Sequence, residues 1–329
     1  MRTLHLQGLA LIAVIALAFG VPYLAPYDPA EQLDPASTRY SPPGSSCWVI
    51  EMADGRVLAA DLQSRHPQHE ALQIVRLGLT LEIPIADIIN LSDQGIPERR
   101  RFLLGTDKFG RDILSRLLYG ARVSLGIGFL AAGIGFLLGG TVGSIAGLSG
   151  GIIDRLLMRF VDALLAFPRI FLVFTLSALF EGPSWMVIVV LGGTGWMAAS
   201  RLVRAEVLRV KASPWVEAAR ASGQSSWRIL TRQILPSALD PLVVETTLRV
   251  GEVILLEAAL SFLGFGVLPP TPSWGQMIAD GSDAITYAWW ITAFPGAAIT
   301  LTVIFINLLG DRSTAQVNSP SLSESVSAV

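Results

Sequence analysis

Past Asp240 at its start, the largely apolar run at residues 239–263 carries four ionisable side chains, Glu245, Arg249, Glu252 and Glu257. Charge in such a run is costly unless it is paired or faces a polar cavity. Glu245 and Arg249 are four apart, which puts them on one face of a helix. Two readings follow: the four line a polar passage or hold a second chain, or they pair internally and serve packing. Covalent and metal chemistry find no foothold. The histidines are His5, His66 and His69, with no nucleophile–base–acid set around them. The single Cys47 excludes an internal disulfide, and no zinc-ligand spacing occurs. There is no Gly-x-x-x-x-Gly-Lys-Ser/Thr phosphate loop, so the chain is expected to bind no nucleotide itself. The expectation is a non-catalytic chain without metal or cofactor.

The elements around these residues are read from composition first. Of 329 residues, 52% are hydrophobic and 15% charged, with a mean hydropathy of +0.55. A soluble protein carries about a quarter charged residues, so the chain belongs in a bilayer. The fold class expected is an all-α polytopic membrane protein with six transmembrane helices and a small extracytoplasmic α/β or β-rich insertion between helices 1 and 2. The spans fall at residues 6–24, 123–148, 163–180, 185–199 and 239–263, with a sixth ending near 309. The first could suit a signal peptide, but no small-x-small cleavage site precedes Pro22, and it reads as an uncleaved helix. Glycines through the second span permit close helix packing. Pro168 bends the third. The fourth, weakened by Gly192, Gly193 and Gly195, is expected to run on through Arg201 and Arg204. Six spans put both termini in the cytoplasm.

Residues 1–24 are thus a short tail and the first helix, and 25–118 an extracytoplasmic segment. That segment holds ten Lys/Arg against thirteen Asp/Glu, too acidic and too long to be retained inside by the positive-inside rule. Cys47 to Met52, a turn at Asp54-Gly55 and Arg56 to Ala59 read as a hairpin. A weak strand follows at 77–85, ending at Pro84, and the subdomain spans 45–100. An amphipathic helix is expected at 105–118, capped by Thr106 or Asp107. The core is 119–311, and 312–329 is a Ser-rich tail expected to be disordered.

Within the core, residues 201–240 carry seven Lys/Arg against three acids. A loop so basic between apolar runs stays on the cytoplasmic side. Ser213-Pro214 starts a short helix, with Ser213 its cap. Gly223 permits a sharp turn. Ser225 or Ser226 caps a second helix, which Pro236 limits. A compact helix–Gly–helix with small residues and one carboxylate is a surface for another protein.

Glu217-Ala218-Ala219, then Gly223 and Ile234-Leu235-Pro236, resemble the coupling loop of binding-protein-dependent ABC importer permeases. Gly105-Thr106-Asp107-x-x-Gly110-Arg111-Asp112 resembles the dipeptide/oligopeptide/nickel branch of that family, as does the pattern Asp154, Arg159, Asp162 and Pro168. The likeness is close over 103–311 and loose over 6–44. It implies the six-helix permease fold in a bacterial or archaeal inner membrane. It also implies a homologous second permease, two ABC ATPase subunits that use ATP and Mg, and an extracytoplasmic solute-binding protein; nucleic acid is not among the partners. In the family the loop forms a short helix seated in the ATPase subunit, so Glu217, Ala218, Ala219, Gly223, Ile234, Leu235 and Pro236 would be coupling residues. Peptide is the leading cargo. The branch passes almost directly from Pro-Pro-Ser into Gly-Thr-Asp, and the stretch 45–100 has no inherited role. The rival reading, a secondary transporter or channel without ATPases, requires internal repeats and leaves the loop unexplained.

Overall fold

The computed structural model describes residues 20, 24–66, 71–91, 96–180 and 184–317. The expected first span lies almost wholly outside these residues, as do His5 and His69. The described residues fall into two compact units: 24–123 with Pro269–Ala298, and Ser124–Leu268 with 299–317.

The first unit holds a short helix, α1 (Pro35–Thr38), and five strands: β1 (Ser45–Glu51), β2 (Val57–His66), β3 (Ala71–Arg76), β4 (Leu79–Pro84) and β5 (Glu98–Phe102). They form an antiparallel sheet in the order β4-β3-β2-β1-β5. The hairpin expected around Asp54-Gly55 is β1–β2, with Val49 opposite Ala59. Successive side chains in a strand point to opposite faces, so Val49 and Ile50 serve different cores. Ile50 packs with Leu72, Ile74, Ile83 and Ile88, and Val49 with Leu33, Ala59 and Phe102. Asp34, in the left-handed region at φ 34°, ties α1 to the sheet. Its carboxylate accepts from the Ala59 N–H and from Nε and Nη2 of Arg76, each at 2.9 Å. Burial disfavours its charged form, but the bonds from Arg76, Ala59 and Ser37 outweigh this and hold the carboxyl below its ordinary range.

The Gly-Thr-Asp segment corrects one expectation. Residues 105–112 fold as a tight loop in which Asp107 accepts from the N–H groups of Phe109 and Arg111. Helix α2 (Ile113–Ser149) begins only after it. The cap is Asp112, which accepts from Ser115 N–H at 2.7 Å; Thr106 and Asp107 cap nothing. Two glycines with positive φ, Gly105 and Gly110, disfavour helix across this stretch. The expected amphipathic helix and second span are therefore one element.

The helices that follow are α3 (Gly151–Leu165), α4 (Arg169–Leu179), α5 (Ser184–Gly193), α6 (Trp196–Lys211), α7 (Pro214–Ala221), α8 (Ser226–Ile229), α9 (Leu235–Phe262), α10 (Trp274–Gly281) and α11 (Trp290–Val317). The break expected at Pro168 is sharp: α3 and α4 meet at 82°. α2 packs closely on α6, where a Cβ at Gly143 would lie 2.4 Å from the Ser200 carbonyl oxygen. Only a residue without a side chain allows this approach. The last helix runs to Val317, so residues 312–317, expected in the disordered tail, are helical. Among the described residues, three stretches are long and apolar enough to cross a membrane: Ile113–Ser149, Ser184–Lys211 and Trp290–Gly310. The bent pair α3–α4 makes a fourth if counted as one span. α9 is 28 residues long but carries the charges described above.

Candidate functional site

The segment from α6 to α9 has a rigid inner side and an exposed outer side. Pro214 begins α7 as its type predicts, but Ser213 does not cap it; its hydroxyl donates to Val210 O at 2.6 Å. α7 ends at Gly223, φ +76°. There Gly223 N–H bonds Arg220 O at 3.0 Å and Gln224 N–H bonds Ala219 O at 3.2 Å, the paired closure that a left-handed residue after a helix allows. The Ser225 hydroxyl then accepts from Arg228 N–H, starting α8. Pro236 does not stop the chain, contrary to expectation. A π turn at Leu230–Ile234 leads directly into α9, with Pro236 in its first turn, where a missing N–H costs little.

Val216, Ala219, Ile229 and Ile234 are buried against Val203, Val207, Val210, Ala238 and Leu242. Of the residues marked for coupling, Glu217, Ala218, Gly223 and Pro236 are exposed, Leu235 is half-buried, and Ala219 and Ile234 hold the segment from below. Sequence reading missed Trp215 and Trp227 as surface groups; they are 46% and 73% exposed. The signal was available for Trp227, two residues from the buried Ile229 on so short a helix.

The second assembly is the charged one. Arg249 donates from Nε to Glu245 Oε1 at 2.9 Å, and its Nη2 also pairs with that oxygen. Glu252 pairs with Arg169, and its second oxygen lies 3.9 Å from Arg249 Nη1. Arg169 was not among the sequence candidates, though a lone cation just after Pro168 in an apolar stretch was a usable signal. Glu257 stands apart, fully buried, accepting from Ser124 Oγ at 3.1 Å and Ser261 Oγ at 2.7 Å. Glu245, Arg249 and Glu252 thus have charged partners within this chain, and Glu257 has two hydroxyl donors.

The remaining motif residues are structural in geometry. Asp107 pairs with Arg111 at 2.6 Å and Arg116 at 3.6 Å, and both arginines reach Asp280. Trp290 Nε1 donates to the Thr106 carbonyl at 3.2 Å. Burial pushes the Asp112 carboxyl up against the opposing bonds from Ser115. Asp154 binds Arg204, Asp162 lies 3.7 Å from Arg201, and Arg159 is exposed.

Apolar helices, one pair of them bent sharply at a proline, thus flank an exposed helical elbow. In fold the chain resembles the MetNI methionine ABC transporter in inward-facing conformations, with a TM-score of 0.51 at 22% identity over 62% of this chain and 97% of that one. Residues 139–319 match the family described as "Binding-protein-dependent transport system inner membrane component", and the chain belongs to that family. It is 42% identical to a putative peptide transport system permease protein of Brucella abortus, over 78% of this chain and 88% of the relative. It is also 42% identical to the di/tripeptide transport system permease protein DppC of Pseudomonas aeruginosa (64% and 70%) and 38% identical to the oligopeptide transport system permease protein OppC of Bacillus subtilis (68% and 73%). The chain is a permease subunit of an ABC importer.

Proposed function

We propose that this permease passes peptides or related small solutes across the inner membrane as one half of a heterodimeric channel. A homologous permease completes the passage, two ATPase subunits use ATP and Mg to drive it, and a solute-binding protein delivers cargo from outside. In this reading the chain crosses the membrane six times, with both termini and residues 201–240 at the cytoplasmic face and the five-stranded sheet outside. The rival reading, transport without ATPases, has no support from the family.

One observation carries the mechanism. α7 presents Trp215, Glu217 and Ala218 outward while Val216 and Ala219 are locked into the core beneath it. A displacement applied to the outer face therefore moves α6 and α9 with it instead of being absorbed by a slack loop. Binding at α7 drives transport only if its contacts differ between the two states of the passage.

The test uses the assembled complex with Cys47→Ser and Glu217→Cys, so that the new thiol stands alone in this chain. We expect a short bifunctional reagent to join it to an ATPase subunit. Labelling of that thiol by a membrane-impermeant reagent added outside intact cells would overturn the reading.

A further inference from the structure

We infer that Arg169 and Arg249 form a clamp for a carboxylate on the cargo, and that Glu252 occupies the clamp until cargo displaces it. The inference rests on the peptide-permease reading above and adds to it the cargo chemistry that the membrane part recognises.

The two guanidiniums come from distant positions in sequence. Arg169 opens α4 just beyond the break at Pro168, and Arg249 lies in the middle of α9. They converge over Gly195, in the break between α5 and α6. A Cβ there would sit 3.2 Å from Arg169 Nη2 and 3.4 Å from Arg249 Nη1. Gly195 thus supplies the room in which both groups reach one point. Phe167, Leu172 and Met197 give the surrounding cleft apolar walls, and apolar walls strengthen a charge-assisted bond.

Glu252 behaves as a stand-in anion. One of its oxygens pairs with Arg169 and the other lies 3.9 Å from Arg249. Its side chain is 52% exposed, whereas that of Arg249 is only 9% exposed. Arg249 and Arg169, the latter 22% exposed, are thus the more enclosed part of the cluster and this carboxylate the less enclosed part. Glu245 is committed to the other side of Arg249, although its Oε2 is buried without a partner. Arg169 Nε is likewise buried and without a hydrogen-bond partner among the described residues. Removing the anion from the buried Arg249 and the half-buried Arg169 would be costly, but exchanging one carboxylate for another leaves neither cation unpaired. Glu252, less enclosed by this chain than either arginine, is the partner more easily displaced.

The experiment compares uptake of trialanine and trialanine amide by proteoliposomes holding the whole complex and its binding protein. All variants share that binding protein, so a change in the acid-to-amide ratio reports on the membrane part. Arg169→Gln is expected to lower the ratio about tenfold, as loss of one charge-assisted hydrogen bond does. Arg169→Lys, which keeps charge without the planar fork, is expected to fall between it and wild type. Glu252→Gln removes the competitor and should raise the ratio. A ratio unchanged in Arg169→Lys and Glu252→Gln would overturn the clamp, as would equal losses for acid and amide in Arg169→Gln. If the wild-type complex takes up neither peptide, the cargo assignment itself fails and the clamp with it; wild-type uptake separates the two failures.

Discussion

Arg204 grips Asp154 with two parallel hydrogen bonds, Nε to Oδ1 at 2.5 Å and Nη2 to Oδ2 at 2.7 Å. The pair fastens α3, just past the turn at Gly150, to the part of α6 that leads into the exposed elbow. Two-point bonding fixes orientation as well as distance, which a single ammonium cannot do. We therefore expect Asp154→Ala to lower the melting temperature of the purified complex and Arg204→Lys to lower it less. A double-mutant cycle should give a coupling of roughly 1 kcal/mol, the pair being partly exposed. Strictly additive losses would show the two groups to act separately.

Gly223 offers a test in which sterics and backbone conformation separate. Nothing lies within 4 Å of a Cβ built there, yet φ is +76°. Any cost of substitution is then conformational, roughly 1 kcal/mol or a little more for a β-branched residue. Transport rates should fall in the order Gly, Asn, Val, because asparagine tolerates the left-handed region. The complex should insert and assemble in each case. Equal rates for Asn and Val would remove the turn from the mechanism.

Gly110 differs because its surroundings are closed. A Cβ would lie 2.2 Å from Thr38 Oγ1 and 2.7 Å from the Leu33 carbonyl, at φ +73°. Gly110→Ala combines backbone strain with collision against fixed main chain and should cost more than about 2 kcal/mol. The expected readout is a sharp drop in folded protein recovered from membranes. Gly44→Ala, at a positive φ but in open space, should be milder.

Acid should loosen the sheet through Asp34. Its carboxyl is held below the ordinary range in the folded protein, so the stabilisation is present above the unfolded value, about 3.9. It is lost as pH falls through the lower folded value. Hydrogen-exchange protection of β2 and β3 should decline below about pH 4 in wild type. In Asp34→Asn it should be weaker at neutral pH and should lose this pH dependence.

Cys47 provides an independent monitor of the same sheet. Burial raises its thiol pKa to about 11, against a smaller opposing pull from Arg100. Little thiolate exists at neutral pH, and alkylation should be slow until β1 unfolds. Labelling as fast as that of the denatured chain at pH 7.5 would contradict this.

Features set by near neighbours in the chain were legible without coordinates. Asp54-Gly55 marked the β1–β2 hairpin, Pro168 the break between α3 and α4, and Gly223 the end of α7, because each acts on φ and ψ within a few residues. Glu245 and Arg249 were legible as a pair for the same reason: four residues make one helical turn. Ser213 and Pro236 were misread because a cap or a stop depends on alternatives that only the folded chain offers, a carbonyl at Val210 and a π turn at Leu230–Ile234.

The sequence by itself determined a membrane chain with a basic, helical elbow between apolar runs, since hydropathy, charge sorting and glycine placement are local chemistry. Tertiary structure alone decided that Ala219 and Ile234 face inward while Trp215 and Trp227 face out. It also brought Arg169 to Glu252, 83 residues apart. No periodicity encodes such a meeting: it follows from the 82° bend after α3 and from the space left by Gly195, where one helix break admits the side chains of another.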